Sequence, residues 1–226
     1  MLRHLFGATA TVDTMLEAIA RDARETGDQT GRPVFSDAVL DAMRTVPRAA
    51  FVPDAEAAFA HENRPLAIGH GQTISQPFIV ALMTELLDVE PGARILEVGT
   101  GCGYQTAILC ALGAMVHSVE VVEPLATAAA ARLKALGYTQ ATVHAGDGHA
   151  GWPEGAPFDS IIVTAAAPSI PPALVAQLKP GGCLVIPVGR AAATQNLQRI
   201  EKRSSGLSEA KTLLPVAFVP LTGGRA

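Results

Sequence analysis

The sequence predicts an α/β protein: a doubly wound, mostly parallel sheet with an N-terminal helical extension and an antiparallel C-terminal edge. Three observations predict it. From Arg94 onwards, short apolar runs of strand length alternate with segments of helical period. A glycine-rich loop at 99–103 joins the first of these runs to a helix. Two further strand-like runs follow the last alternation, near the end of the chain.

The elements follow in order. Residues 11–26 have helical spacing, with Val12, Met15, Leu16 and Ile19 on one face and Arg21, Asp22, Arg24 and Glu25 largely on the other. Gly27 and Gly31-Arg32-Pro33 punctuate that segment. Ser36 is placed to cap a second helix carrying Val39, Leu40 and Met43, which ends before Pro47. Residues 47–76 read as irregular, with several Pro and Gly and little periodicity. A long irregular stretch in a compact domain is commonly functional, and 60–76 is the candidate lid. Pro77 opens a helix running to about Leu87. Then come a strand at Arg94–Val98, the glycine loop, and a helix over 104–112. A strand over 115–119 closes on Glu120, and an Ala-rich helix spans 124–136. Strands at 142–145 and 160–164, a short helix at 172–178 and a strand at 183–188 complete the alternation. The tail holds strands at 197–202 and 216–219. One compact domain results, with two regions: residues 1–76, holding the N-terminal helices and a substrate-side segment, and residues 77–226, the ligand-binding α/β core.

A chain of 226 residues, 49% hydrophobic and 17% charged, can bury the core that such a sheet requires. The net charge of −4 and the lack of any Lys/Arg run argue against nucleic acid or an anionic membrane as partner. Cys102, Cys110 and Cys183 are an odd number without paired spacing, unlike a disulfide framework. The start, MLRHLFGATATVDTM, has no signal-peptide core. The reading is a cytoplasmic protein, with a monomer favoured.

The loop reads Leu96-Glu97-Val98-Gly99-Thr100-Gly101-Cys102-Gly103-Tyr104. Ligands of open α/β sheets bind at the carboxyl ends of the strands, where this loop lies. Glycine adopts positive φ without strain and lets backbone approach a ligand, so Gly99, Gly101 and Gly103 are candidate cofactor contacts. A glycine loop alone does not separate cofactors. The dinucleotide pattern begun at Gly99 needs a third glycine at 104, where Tyr104 stands. Glu97 before the loop suits a pyrophosphate poorly and suits the sulfonium and ammonium of S-adenosylmethionine well. Glu97 also reads as a structural carboxylate accepting loop amides. Glu120 ends the next strand, in place to accept hydrogen bonds from ribose hydroxyls. Asp147, in Ala145-Gly146-Asp147-Gly148, is either an acceptor for an adenine amino group or an Asp-Gly turn residue. The ordered set of Glu97, glycine loop, Glu120 and Asp147 points to S-adenosylmethionine. His144, Asp147 and His149 do not have a spacing that ensures a metal site, so no metal is expected. Cys102 has no activating partner in sequence and reads as a small packing residue.

With these motifs in view, the chain resembles the protein-L-isoaspartate O-methyltransferase family over about 36–222. The distinctive run is Gly69-His70-Gly71-Gln72-Thr73-Ile74-Ser75-Gln76-Pro77. Val46-Pro47-Arg48, Phe51-Val52-Pro53, Gly146-Asp147-Gly148, Thr164-Ala165-Ala166 and the closing Phe218-Val219-Pro220-Leu221-Thr222 match as well. The resemblance implies a Rossmann-like class I methyltransferase fold. The implied reaction moves a methyl group from S-adenosylmethionine to the free α-carboxylate of an L-isoaspartyl residue. The ester then closes to a succinimide that reopens partly to normal aspartate, a repair reaction on damaged proteins and peptides. By resemblance Ser75 is the active-site serine, Ile74 and Ser75 contact substrate, and Thr73, Gly148 and Thr222 join the cofactor site. The family's usual aromatic is His61 here, and the Arg that often follows the ribose-binding acid is Val121.

An isoaspartyl carboxylate is already ionised near pH 7, since carboxyl pKa values lie at roughly 3.3–4.3. No strong general base is required, and alignment is the main task, able to supply roughly 7–11 kcal/mol of the barrier. Ser75 then orients the acceptor by hydrogen bonding. A second role open to it is N-cap of the helix begun by Pro77. Two competing functions differ from this reading. One is a methyltransferase for another carboxylate or one specific modified peptide, and the other is a noncatalytic nucleoside-binding domain. The motif around Ser75 disfavours a small-molecule acceptor, and the intact loop and acids disfavour a noncatalytic domain.

Overall fold

The computed structural model describes residues 10–190, 194–203, 206–207 and 210–223. The first nine residues of the start therefore lie outside the described residues. The elements are α1 (Val12–Thr30), α2 (Asp37–Thr45), β1 (Leu66–Gly69), β2 (Gln72–Ile74), α3 (Pro77–Leu86), β3 (Arg94–Val98), α4 (Tyr104–Ala111), β4 (Met115–Glu120) and α5 (Glu123–Ala135). β5 (Ala141–Ala145), β6 (Phe158–Val163), α6 (Pro172–Gln177), β7 (Leu178–Val188), β8 (Gln195–Arg203), β9 (Gly206–Leu207) and β10 (Lys211–Val216) follow.

The main sheet runs β10-β8-β7-β6-β3-β4-β5, with β9 paired to β8. Strands β7, β6, β3, β4 and β5 are mutually parallel, and β8 and β10 are antiparallel additions. The chain winds outward from β3 to β5, then returns to place β6 on the other side of β3. The C-terminal end of β3 is thus the point where strand order reverses, the crevice in which such sheets bind ligands.

The two faces are covered unequally. One core cluster joins Ile95, Val116, Ile162 and Val185 of the sheet to α1 through α5. The other joins Leu96, Val98, Ile161 and Leu184 mainly to Leu174 of α6 and to Trp152 in the 148–157 segment. Helix α3 is apolar around its circumference because it is buried on nearly every side, touching α1, α2 and α4. No helix among the described residues is long and apolar enough to cross a membrane.

Several elements depart from the sequence reading, among them β7, which begins at Leu178 and not at 183. Helix α1 continues past Gly27 to Thr30 and stops at Gly31, which takes a left-handed conformation. Pro33 packs so closely on Gly27 that a Cβ there would meet it at 2.7 Å, so this glycine serves packing and not termination. The 47–76 segment is ordered into two 3-10 turns and the β1–β2 hairpin, which closes through positive φ at Gly69, His70 and Gly71. The last strand is Lys211–Val216 and not 216–219, because its register is set by β8, with Lys211 opposite Arg199 and Val216 opposite Gln195. Pro215 sits beside the register shift in that pair, where an absent N–H is tolerated.

Candidate active site

Two cavities meet at the carboxyl edge of the sheet. The smaller, ≈ 50 Å³, follows the glycine loop and is lined by Gly99, Gly101, Glu120, Val121, Gly148 and Thr222, among others. The larger, ≈ 520 Å³, lies between α1, the Ser75 segment and residues 214–219. Thr73, Thr164 and Val219 line both.

The loop is held from three directions. Gly99, Gly101 and Gly103 all have positive φ, the backbone region that disfavours side chains. From β4, Glu120 accepts hydrogen bonds from Gly101 N–H at 2.8 Å through Oε2 and from Val122 N–H at 2.9 Å through Oε1. Glu120 is 6% exposed, and that remaining surface faces the groove. From β6, the Thr164 hydroxyl donates to Gly99 O at 2.6 Å. A Cβ on Gly99 would collide with that hydroxyl, so no larger residue fits. From α5, Arg132 donates to Cys102 O at 2.9 Å. Beneath the loop, the Thr100 and Ser118 hydroxyls pair at 2.5 Å.

Other residues fall differently from the sequence reading. Glu97 lines neither cavity: it is fully buried below the loop, accepting a hydrogen bond from the Thr106 hydroxyl. Burial pushes its carboxyl up to about 8, with the Thr106 hydrogen bond opposing and the charge of Glu120 adding. Gly103 also lines neither cavity and instead begins α4, where a Cβ would press on Leu133 at 3.3 Å. The side chain of Ile74 is 4% exposed and joins the core, because alternation along β2 turns Thr73 outward and Ile74 inward. The Ile74 side chain accordingly lines neither cavity. Ser75 lies half-buried on the larger cavity. It does not cap α3: Gln76 is the N-cap residue, and Asn63 Oδ1 accepts from Phe78 N–H at 3.0 Å instead. Among the described residues the Ser75 hydroxyl makes no hydrogen bond.

Asp147 accepts from His149 N–H at 2.9 Å and thereby caps the 148–150 turn, with Gly148 beside it on the groove. Thr222 belongs to a tail laid over the groove, tied down where Leu221 N–H donates to Ala166 O and Ala166 N–H donates to Val219 O, both at 2.8 Å. Among the described residues no group of three His, Cys, Asp or Glu is placed to hold a metal ion. His144 stacks on Trp152 with ring centroids 3.7 Å apart and meets His117 at 3.1 Å, while His149 faces Asp147. Cys102 is buried, and burial pushes its thiol up. Sequence reasoning gave no role to Thr164, Thr106, Asn63 or Arg48. Thr164 and Arg48 stand inside runs shared with the family, and that was their only signal.

A model of the family described as protein-L-isoaspartate(D-aspartate) O-methyltransferase matches residues 26–226. The chain belongs to that family. A protein-L-isoaspartate O-methyltransferase 2 of Syntrophobacter fumaroxidans is 54% identical over 210 residues, covering 93% of this chain and 85% of the relative. One from Polaromonas sp. is 53% identical, covering 93% of this chain and all of the relative, 100%. A solved structure from Plasmodium falciparum, described as a putative protein-L-isoaspartate O-methyltransferase in complex with S-adenosyl-L-homocysteine, is 26% identical with a TM-score of 0.76, covering 92% of this chain and 97% of that one. The fold is accordingly the Rossmann-like class I methyltransferase fold, and the cofactor is S-adenosylmethionine. The groove offers that cofactor glycine backbone at 99, 101 and 148 and a carboxylate, Glu120, already ordered by two amides.

The raised Glu97 carboxyl has a measurable consequence. A raised acid contributes stability that is fully present below the unfolded value of 4.5 and is lost progressively as pH rises to about 8. Glu97→Gln removes this titration, so its Tm advantage over the parent should grow from pH 5 to pH 8. Thermal melts of both proteins at several pH values check this, and a difference independent of pH contradicts it.

Proposed function

We propose that the groove along the glycine loop takes S-adenosylmethionine, that the larger cavity takes the L-isoaspartyl segment of a damaged protein, and that methyl transfer occurs at their junction. The observation that carries this reading is the meeting of the two cavities at Thr73, Thr164 and Val219, with the unengaged Ser75 hydroxyl on the acceptor side.

Within this reading Glu120 accepts from the ribose hydroxyls while keeping the loop amides in place. Gly99, Gly101 and Gly148 bring backbone close to the cofactor, Asp147 stands at the adenine end, and Thr73 and Thr222 close the groove. Glu97 supports the loop from beneath. The cofactor supplies an electrophilic methyl group when bound. The acceptor carboxylate arrives ionised, and the residues of the junction have only to orient it and exclude water. The Ser75 O–H donates to the acceptor and forms no covalent bond with it. The N-terminal region up to Gln76 is the substrate-side layer, and residues 77–226 are the cofactor core. A cytoplasmic setting is supported by the three buried free cysteines.

Transfer of tritiated methyl from S-adenosylmethionine to a synthetic isoaspartyl peptide and to its aspartyl twin tests the activity. Base-labile label on the isoaspartyl peptide alone is expected, whereas cofactor binding without transfer to either would favour a noncatalytic domain. For the site, Ser75→Ala should lower kcat about 10–100-fold, the equivalent of one hydrogen bond to a charged group. Calorimetric affinity for S-adenosylhomocysteine should stay within a factor of about two, and a large loss of affinity would remove Ser75 from the acceptor side.

A further inference from the structure

Arg48 has a chemistry that the reading so far does not use. It begins the 3-10 turn Arg48–Phe51 and is 1% exposed. Buried cations are costly unless paired and fully hydrogen-bonded. No carboxylate pairs with Arg48 among the described residues. Its planar group joins three separate pieces of chain instead. Nε–H donates to Ala60 O at 2.9 Å, and an Nη2 hydrogen is donated to Ser75 O at 2.7 Å. The guanidinium carbon lies 4.8 Å from the centroid of the Tyr104 ring. Tyr104 is the residue that follows the glycine loop, and it too is 1% exposed. Phe51, one turn on from Arg48, packs edge-on against the same ring at 5.5 Å.

Arg48 therefore touches the acceptor segment through a hydrogen bond to the Ser75 carbonyl and the exit of the cofactor loop through its approach to Tyr104. Two half-sites made by distant stretches of sequence are referenced to a single rigid group. We propose that Arg48 is the positioning residue that sets Ser75 against the cofactor loop. Drawing the Ser75 carbonyl into the core fixes that residue's backbone while its hydroxyl stays on the larger cavity. A lysine at 48 keeps the charge but lacks the planar fork that reaches two carbonyls. The inference rests on the assignment of Ser75 to the acceptor side.

The test is a double-mutant cycle on the full chain, with Arg48→Lys, Ser75→Ala and both together. Rates are divided by the concentration of S-adenosylhomocysteine sites titrated calorimetrically, so that any unfolded fraction drops out. Arg48→Lys should cut kcat at least tenfold with cofactor affinity and cofactor KM within threefold of the parent. Combined with Ser75→Ala, it should cost less than a further twofold, because it acts through that residue. Equal losses with and without Ser75→Ala would overturn the inference while leaving the Ser75 assignment standing. No effect of Ser75→Ala alone would overturn both. Should Arg48→Lys give no titratable sites, Arg48→Gln, which keeps planar donors, enters the same cycle. If neither variant binds the cofactor product, Arg48 serves folding alone and the inference is overturned.

Discussion

The hydrogen bond from the Gly101 amide to Glu120 is the constraint on which the rest of the site depends. It ties the loop after β3 to the end of β4, its parallel neighbour. A loop with positive φ at three glycines has little intrinsic preference for one shape, and its order must come from outside. The neighbouring strands supply that order, β4 through Glu120 and Ser118 and β6 through Thr164. The carboxylate that orders the amides also lines the groove, so structural and binding roles fall on one side chain. Glu97, one strand position before Val98, completes this from below, at the cost of burying a carboxyl.

The acceptor side is built on different physics. It rests on a layer of short elements packed over the apolar helix α3 and held in place by few but directed contacts. Asn63 links Asp22 of α1, at 2.7 Å, to the Phe78 amide of α3. Arg48 links the Ser75 carbonyl to Tyr104. These contacts free the Ser75 hydroxyl from the capping duty that its place before a helix would suggest. The chemistry asks only for alignment of a ready nucleophile, and a rigid, unspent hydroxyl between two cavities meets that need.

The cofactor half was largely legible in the sequence. Strand β3 was readable to the residue, because a short apolar run bounded by Pro91-Gly92 and by Gly99 leaves little freedom of assignment. Glu120 was legible for the same reason, as the polar end of an apolar strand. The acceptor half was not. Strands β1 and β2 are four and three residues long, too short for alternation to show, and the turn that pairs them needs the positive φ of His70, a residue that seldom adopts it. Without that hairpin, nothing distinguishes the outward Thr73 from the inward Ile74. The burial of Glu97 and the guanidinium bridge of Arg48 depend on partners 9 and 27 residues away, which no local pattern reveals. The last strand was misplaced because its register belongs to β8 and not to its own sequence.

If Glu120 orders the loop before any cofactor arrives, the Gly101 amide must already be bonded in the free protein. Amide hydrogen exchange followed by NMR in cofactor-free protein reads this directly. The account predicts a protected Gly101 amide in the parent and loss of that protection in Glu120→Ala, with the Ile108 amide of α4 protected in both. A Gly101 amide that exchanges in the parent as fast as an open chain, or one indifferent to the substitution, would contradict it.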